Sequence, residues 1–251
     1  MPIHESYDGD SPEMIRADQL IDPVPDFHEL VIVTYTRRVF NLLLENHDAV
    51  EIARMYTSAT EIPVFEITHN GKRFAAYLST IGGAVAAALM EEAIAMGGKK
   101  FLFFGSCGVL NDSIMDGHIA VPTAAWRDEG TSYHYVPAAD LIEIPTAEKL
   151  SNVLDELDVP HHRTITWTTD AIYRETRDTV VKRKAAGCDV VEMEVASTAA
   201  VAQVRGVEFY QFLFGADSLA GEEWDPRTLA TFPADQRSML AELAVRVAER
   251  I

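Results

Sequence analysis

Basic residues are scarce in this chain. Its 251 residues carry 21 Lys and Arg against 39 Asp and Glu, a formal net charge of −18. Nucleic-acid binding relies on clustered Lys and Arg, so no nucleic-acid partner is expected. A small anionic substrate is still allowed, because a few local arginines can hold one. Cysteine is nearly absent. Cys107 and Cys188 stand alone, without a Cys-x-x-Cys spacing, which argues against a disulfide framework or a thiolate metal site. They read as reduced thiols of a cytoplasmic protein. No His-x-x-x-His or Cys–His cluster occurs, so no catalytic metal is expected, and His161-His162 after Pro160 reads as a solvated turn. Long apolar runs are missing too. The best one, Gly83–Met96, is broken by Glu91 and Glu92, so no membrane span is expected. The first thirty residues carry Glu5, Asp8, Asp10, Glu13, Asp18 and Asp22 without an apolar stretch, unlike a secretory signal.

What is present is an ordinary globular composition, 48 % hydrophobic and 24 % charged, in a chain long enough to bury a large core. Apolar and β-branched runs predict strands at Leu30–Tyr35, Lys100–Phe104, His118–Pro122, Thr164–Thr168, Val190–Met193 and Phe209–Ala216. Pro63–His69 and Arg73–Ser79 are two further strands joined by Asn70-Gly71, a strong hairpin signal. Helices are expected over Arg38–Glu45, Gly83–Met96, Ala147–Leu157, Asp178–Ala186, Ala196–Arg205 and Asp235–Arg250. Strand and helix alternate without a linker, a repeat or a shift in composition. The expected fold is therefore α/β, a single domain over residues 29–251 with a central mixed β-sheet flanked by helices on both faces. Residues 1–28, polar and proline-bearing, read as an N-terminal arm.

In such folds ligands bind beyond the carboxyl ends of strands. Those ends are followed here by Thr36-Arg37-Arg38, by a tight loop expected at Gly105-Ser106-Cys107-Gly108, by Glu194 and by Asp217. Taken singly, each residue is equally well a cap or a turn residue. Glu194, for example, could be a surface carboxylate at a helix start.

Their order along the chain is more specific. Val191-Glu192-Met193-Glu194, following Thr169-Asp170-Ala171-Ile172-Tyr173, resembles the nucleoside phosphorylase superfamily, the purine nucleoside and uridine phosphorylases with related nucleosidases. Gly105-Ser106-Cys107-Gly108 falls where that family has a glycine-rich phosphate loop. Asp128-Glu129-Gly130-Thr131-Ser132-Tyr133-His134-Tyr135 is similar to a loop of uridine-phosphorylase-like members, and Ala216-Asp217-Ser218 falls where purine-cleaving members keep a catalytic Asp. The resemblance covers roughly residues 30 to 250.

The resemblance implies a division of labour. Glu194 would accept hydrogen bonds from the ribose hydroxyls, with Met193 packed on the sugar and Glu192 beside it. Such bonds strengthen as the sugar gains positive charge in an oxocarbenium-like transition state. Asp217 would protonate the leaving base, which calls for a raised pKa. Arg227 resembles an arginine that pairs with this Asp. Tyr173 falls among base-stacking positions, and Arg177 is a further expected substrate contact. Inorganic phosphate would be co-substrate, with no other cofactor, held by Arg38 and by Ser106, Cys107 and Gly108. Arg54, and with it an N-terminal histidine such as His4, resembles residues that relatives lend across a subunit boundary, so a homo-oligomer, dimer or hexamer, is expected. One departure stands out: Phe104 occupies the place of a phosphate-binding arginine. The leading expectation is a nucleoside phosphorylase. The alternatives are a nucleosidase, in which water replaces phosphate, and a nucleoside-binding module without catalysis. The choice of base and sugar stays open.

Overall fold

The computed structural model describes residues 2–5 and 7–251. One mixed sheet organises them. Its strands are β1 (Leu30–Thr34), β2 (Asp48–Tyr56), β3 (Glu61–His69), β4 (Lys72–Leu78), β5 (Lys100–Val109), β6 (Ile119–Asp128), β7 (Leu141–Glu143), β8 (His161–Thr169), β9 (Cys188–Glu192) and β10 (Glu208–Ser218). The helices are α1 (Arg37–Asn46), α2 (Gly83–Met96), α3 (Ser132–Tyr135), α4 (Ala147–Glu156), α5 (Arg177–Ala185), α6 (Val195–Arg205) and α7 (Ala234–Ala248). The strand order is β10-β6-β8-β9-β5-β1-β4-β3-β2, with β7 beside β6. Because β10 also pairs with β5, five strands close into a ring: β10, β6, β8, β9 and β5. The open wing, β1-β4-β3-β2, extends from it.

The local sequence explains most of these elements. β1, Leu-Val-Ile-Val-Thr, is buried at every position, as a central strand covered on both faces must be. The helices form two groups: α1 packs on α7 with α4 adjoining, and α2 packs on α6 with α3 adjoining. α6 is buried from Val195 to Ala202, and its small residues let α2 approach closely. The Asn70-Gly71 turn joins β3 to β4 as the dipeptide foretells. The core is rich in phenylalanine: Phe101, Phe103, Phe104, Phe212 and Phe214 are buried. Burying each such ring contributes roughly 1.5–3 kcal/mol.

Four expectations need correction. β2 was not foreseen, because Asp48–Tyr56 is an outer strand with mostly exposed side chains and no apolar run. Gly105-Ser106-Cys107-Gly108 is not a tight loop but the second half of β5, held straight by pairing with β10 and, at Gly108, with β9. The strand predicted to stop at Pro122 continues as β6 to Asp128, since β8 pairs along its length with one irregularity beside Pro122. His161 and His162 open β8 instead of forming a turn. The arm lies along the domain: Val24 N–H donates to the Met96 carbonyl, and Arg205 bridges Glu13 and Glu91 at 2.7 Å each.

Candidate active site

Strand register brings the chemically promising segments together. Thr34 lies opposite both Leu78 and Phe104, and Phe104 lies opposite Phe212. β1 and β4 thus end level with the middle of β5 and β10, which run on past that line. β9 runs antiparallel to β5, with Val191 opposite Gly108. In β10 the register shifts between Gly215 and Asp217, so that Asp217 also lies opposite Gly108. A bulge of this kind re-aims a side chain at a sheet's end. Gly108 permits the convergence. A Cβ there would come within 2.9 Å of both Val191 and Leu219 and 3.5 Å of Asp217 Oδ1. The Glu192–Glu194 segment and Asp217 therefore flank one glycine. The buried Cys107 thiol is pushed up by burial first and then by the charges of Asp217 and Glu192.

Glu192 is occupied within the protein. Its Oε1 accepts from the Thr166 and Thr168 hydroxyls at 3.1 and 2.6 Å, and its Oε2 accepts from the Glu194 and Val195 amides at 2.6 and 2.7 Å. It is the capping carboxylate of α6, placed where the helix dipole favours negative charge. Both of its oxygens thus accept hydrogen bonds from within the protein.

Glu194 is different. It is only 7 % exposed, which removes the surface reading of this residue. Its Oε1 accepts the Gly82 N–H at 2.6 Å. Gly82 sits at φ +100°, a conformation that favours glycine, and this turns its amide onto the carboxylate. Burial first, and then the charge of Glu192, raises the Glu194 pKa above the usual carboxylate range. Beside the pair lies the Tyr35 hydroxyl, whose pKa is raised by burial and then by Glu194. That oxygen is buried and has no hydrogen-bond partner. A buried polar group left unpaired is costly unless a ligand completes it.

Asp217 accepts the Trp224 indole N–H at 2.8 Å. Its pKa is raised by burial, against the lowering effect of Trp224 and of the Arg227 charge. Arg227 itself does not bond Asp217. Its guanidinium reaches the Ile114 carbonyl at 3.2 Å and the carboxylates of Asp116 and Asp225 at 3.5 and 3.9 Å. Glu175 lies close enough that Asp217 adds to the burial that lifts its pKa to about 7.

The remaining expected residues are more scattered. Ser106 is exposed while its neighbours Gly105 and Cys107 are buried, so its side chain is open to solvent in the second half of β5. Arg38, with Arg37, lies exposed in the first turn of α1, just past the end of β1. Phe104 is fully buried and stacks on Phe212 with ring centroids 5.1 Å apart, so it occupies core and not a ligand pocket. Met193 is half-buried between the two glutamates. Tyr173 is 96 % exposed on a one-turn 3-10 segment, Ile172–Arg174, and walls no base slot within one chain. Arg177, the first residue of α5, is exposed. Arg54 lies on β2, with β3, β4 and β1 between it and β5, and is tied to Glu51 and Glu61. His4 makes an edge contact with the Tyr133 ring at 6.5 Å. Two surface clefts of about 680 and 590 Å³ lie elsewhere, one bounded by Arg127, Ile142 and Phe209, the other by the arm and Glu91, Glu92 and Arg205. Glu194 and Asp217 line neither.

Sequence reasoning missed Tyr35, Gly82, Glu175 and Trp224. Only Gly82 carried a signal, as a glycine directly before a helix. The others reach the site through contacts between separate elements.

Comparison with known proteins identifies the family and the fold. Residues 29–251 match the profile of the Phosphorylase superfamily, and the chain belongs to that family. It is 34 % identical over 133 residues to a uridine phosphorylase of Thermococcus kodakarensis, covering 49 % of this chain and 47 % of that one. It is 25 % identical over 197 residues to a guanosine phosphorylase of Halorubrum lacusprofundi, covering 77 % and 80 %. An uncharacterised protein of Acanthamoeba polyphaga mimivirus, R802, is 27 % identical over 159 residues, 62 % of either chain. The chain thus spans about half to three fifths of the length of the Thermococcus and mimivirus proteins. Among solved structures, the uridine phosphorylase of Vibrio fischeri superposes with a TM-score of 0.74 at 19 % identity, covering 95 % of this chain and 96 % of that one. The purine nucleoside phosphorylase of Toxoplasma gondii gives 0.72 at 19 %, covering 95 % and 98 %. At these identities the structures share the fold. Among the described residues, no helix is long and apolar enough to cross a membrane.

Proposed function

We propose that this protein is a nucleoside phosphorylase, a pentosyltransferase that reversibly converts a purine or pyrimidine nucleoside and phosphate into free base and pentose 1-phosphate. The observation that carries the reading is the buried Glu194 carboxyl beside an unpaired Tyr35 hydroxyl, across Gly108 from Asp217. The ribose hydroxyls donate to Glu194. A phosphate oxygen attacks C1′, the C1′–N bond breaks, and the carboxyl proton of Asp217 passes to the base. A carboxyl group donates only while protonated, and burial raises the Asp217 pKa in that direction. This chemistry favours purines, whose ring nitrogens take the proton. Phosphate meets Ser106 and the arginines at the start of α1, Arg38 foremost, and no organic cofactor is required. Arg54 serves a neighbouring subunit's site in a homo-oligomer.

Phe104 supports a second reading. With a packed aromatic where a cation would stand, the site is short of one charge-assisted phosphate contact, worth about 1.5–3 kcal/mol. Water could then be the nucleophile, as in a nucleosidase. A nucleoside panel assayed with and without phosphate, read by released base, separates the two. Phosphorolysis requires phosphate or arsenate, and base release at full rate without either would replace it by hydrolysis. Asp217→Asn should slow purine nucleosides by about 10²-fold or more and nucleosides with activated leaving groups much less. Equal losses on both would assign Asp217 a positioning role. Nucleoside binding without turnover would overturn the enzyme reading.

A further inference from the structure

At the far end of the sheet, three metal-competent side chains converge from three elements. His47 follows the last turn of α1, His69 ends β3, and Glu242 lies on α7. One ligand atom from each falls within 4.8 Å of the other two. The two imidazoles meet edge to face, with ring centroids 4.9 Å apart. The β3–β4 hairpin pairs His69 with Lys72, so the cluster sits at the opposite end of β4 from the Glu194 cleft. None of these residues has a place in the phosphorylase chemistry.

We infer that His47, His69 and Glu242 form a binding site for a divalent transition metal of the zinc class, clamping α7 to the open wing of the sheet. Two imidazoles and a carboxylate are a common three-ligand set for Zn²⁺, leaving a fourth position for water. Ligand atoms around a tetrahedral ion at about 2.0–2.1 Å lie about 3.3 Å apart. The cluster therefore closes on an ion by at most about 1.5 Å per pair, through rotation of the exposed Glu242 side chain on α7 and of the two imidazole rings.

The surroundings are those of a supported site. The Thr68 carbonyl accepts a hydrogen bond from His47, which fixes the orientation of that ring. Glu249 Oε1 lies 3.7 Å from His69 Nε2 and accepts the Asn70 side-chain amide at 3.0 Å. A carboxylate so placed can accept the N–H of a ligating histidine and fix its tautomer. Asp48 adds a further negative charge near His47, and the chain's net charge of −18 favours cations. The ligands are far apart in sequence, so no ligand spacing announces them.

The test uses the full chain with any affinity tag removed, titrated with ZnCl₂ by calorimetry and with Co²⁺ by visible absorption. The expected result is one ion per chain, with an intense absorption band of four-coordinate cobalt. The melting temperature should rise by about 5 °C or more at a hundredfold excess over Kd. His69→Gln should weaken binding at least tenfold and remove the cobalt band. Glu242→Gln alters an exposed side chain that keeps the fold, and should weaken binding severalfold. His118→Gln should change nothing; it disrupts the other close histidine pair, His118 and His162, whose rings stack 5.6 Å apart. Undiminished binding in His69→Gln and Glu242→Gln, loss of binding in His118→Gln, or no saturable binding by the wild type would each overturn the site.

Discussion

Glu192→Gln separates the two glutamates of the motif with little change of shape. Glu192 receives four donors, two hydroxyls on one oxygen and two amides on the other. A glutamine can keep its oxygen on the Glu194 and Val195 amides and turn its NH₂ to the threonine hydroxyls, which rotate to accept. The number of hydrogen bonds is then preserved. What is lost is charge assistance on the amide bonds and the negative charge at the N-terminus of α6, together about 2 kcal/mol. The substitution also removes the charge that helps raise the Glu194 pKa. In general, two unit charges about 4 Å apart repel by about 4 kcal/mol at an effective dielectric constant of about 20, and less as they separate.

The two effects differ in pH dependence. Glu194, with a folded pKa raised above its unfolded value, contributes stability that is complete below the unfolded pKa and is lost as pH rises through the folded pKa. At low pH, with Glu194 protonated, no like charge opposes Glu192 and the variant shows its largest loss, up to about 2 kcal/mol. As pH rises the two carboxyl groups of the wild type come to oppose one another, whereas the variant has one, so the gap narrows or reverses. Urea unfolding at pH 5, 7 and 9 reads this directly, without any assumption about activity. In an active enzyme, the acid limb of the kcat/KM profile should also move to lower pH, because Glu194 ionises sooner. A stability gap that stays constant or widens with pH would refute the coupling of the two carboxyl groups.

Two other perturbations follow from the site. Trp224→Phe removes the indole donor that lowers the Asp217 pKa. With burial and Asp116 still raising it and Arg227 still lowering it, Asp217 should stay protonated to higher pH, so the alkaline limb of kcat/KM shifts upward; a downward shift would remove Asp217 as the acid. Phe104→Arg places a charge inside the stack with Phe212, where no carboxylate partner is provided. It should destabilise the fold by about 3–5 kcal/mol, seen as a lowered unfolding midpoint, and tighter phosphate binding at unchanged stability would show that Phe104 borders the cleft.

The sequence by itself determined the elements whose signal is local. The apolar run of β1, the uniform small-residue face of α6, the Asn70-Gly71 hairpin and the glycine stop after α2 each lie within a few consecutive residues. So does the Glu-Met-Glu segment that marked the family, whose two glutamates alternate across a strand end and a helix start. The tertiary structure decided what those residues face. β5 runs straight through Gly105–Gly108 because β10 and β9 pair with it, and glycines that suggest a loop in isolation serve instead as points of close approach. Glu192 became a helix cap because β8 sets Thr166 and Thr168 beside it, and Glu194 was buried because the turn before α2 folds over it. Tyr173 and Arg177 follow β8 in sequence but turn outward to solvent. Trp224 reaches Asp217, and His47, His69 and Glu242 meet, through contacts between separate elements. Local periodicity fixes which face of an element is apolar, whereas strand register and helix docking fix which polar groups meet, and those depend on long-range packing that no short window of residues contains.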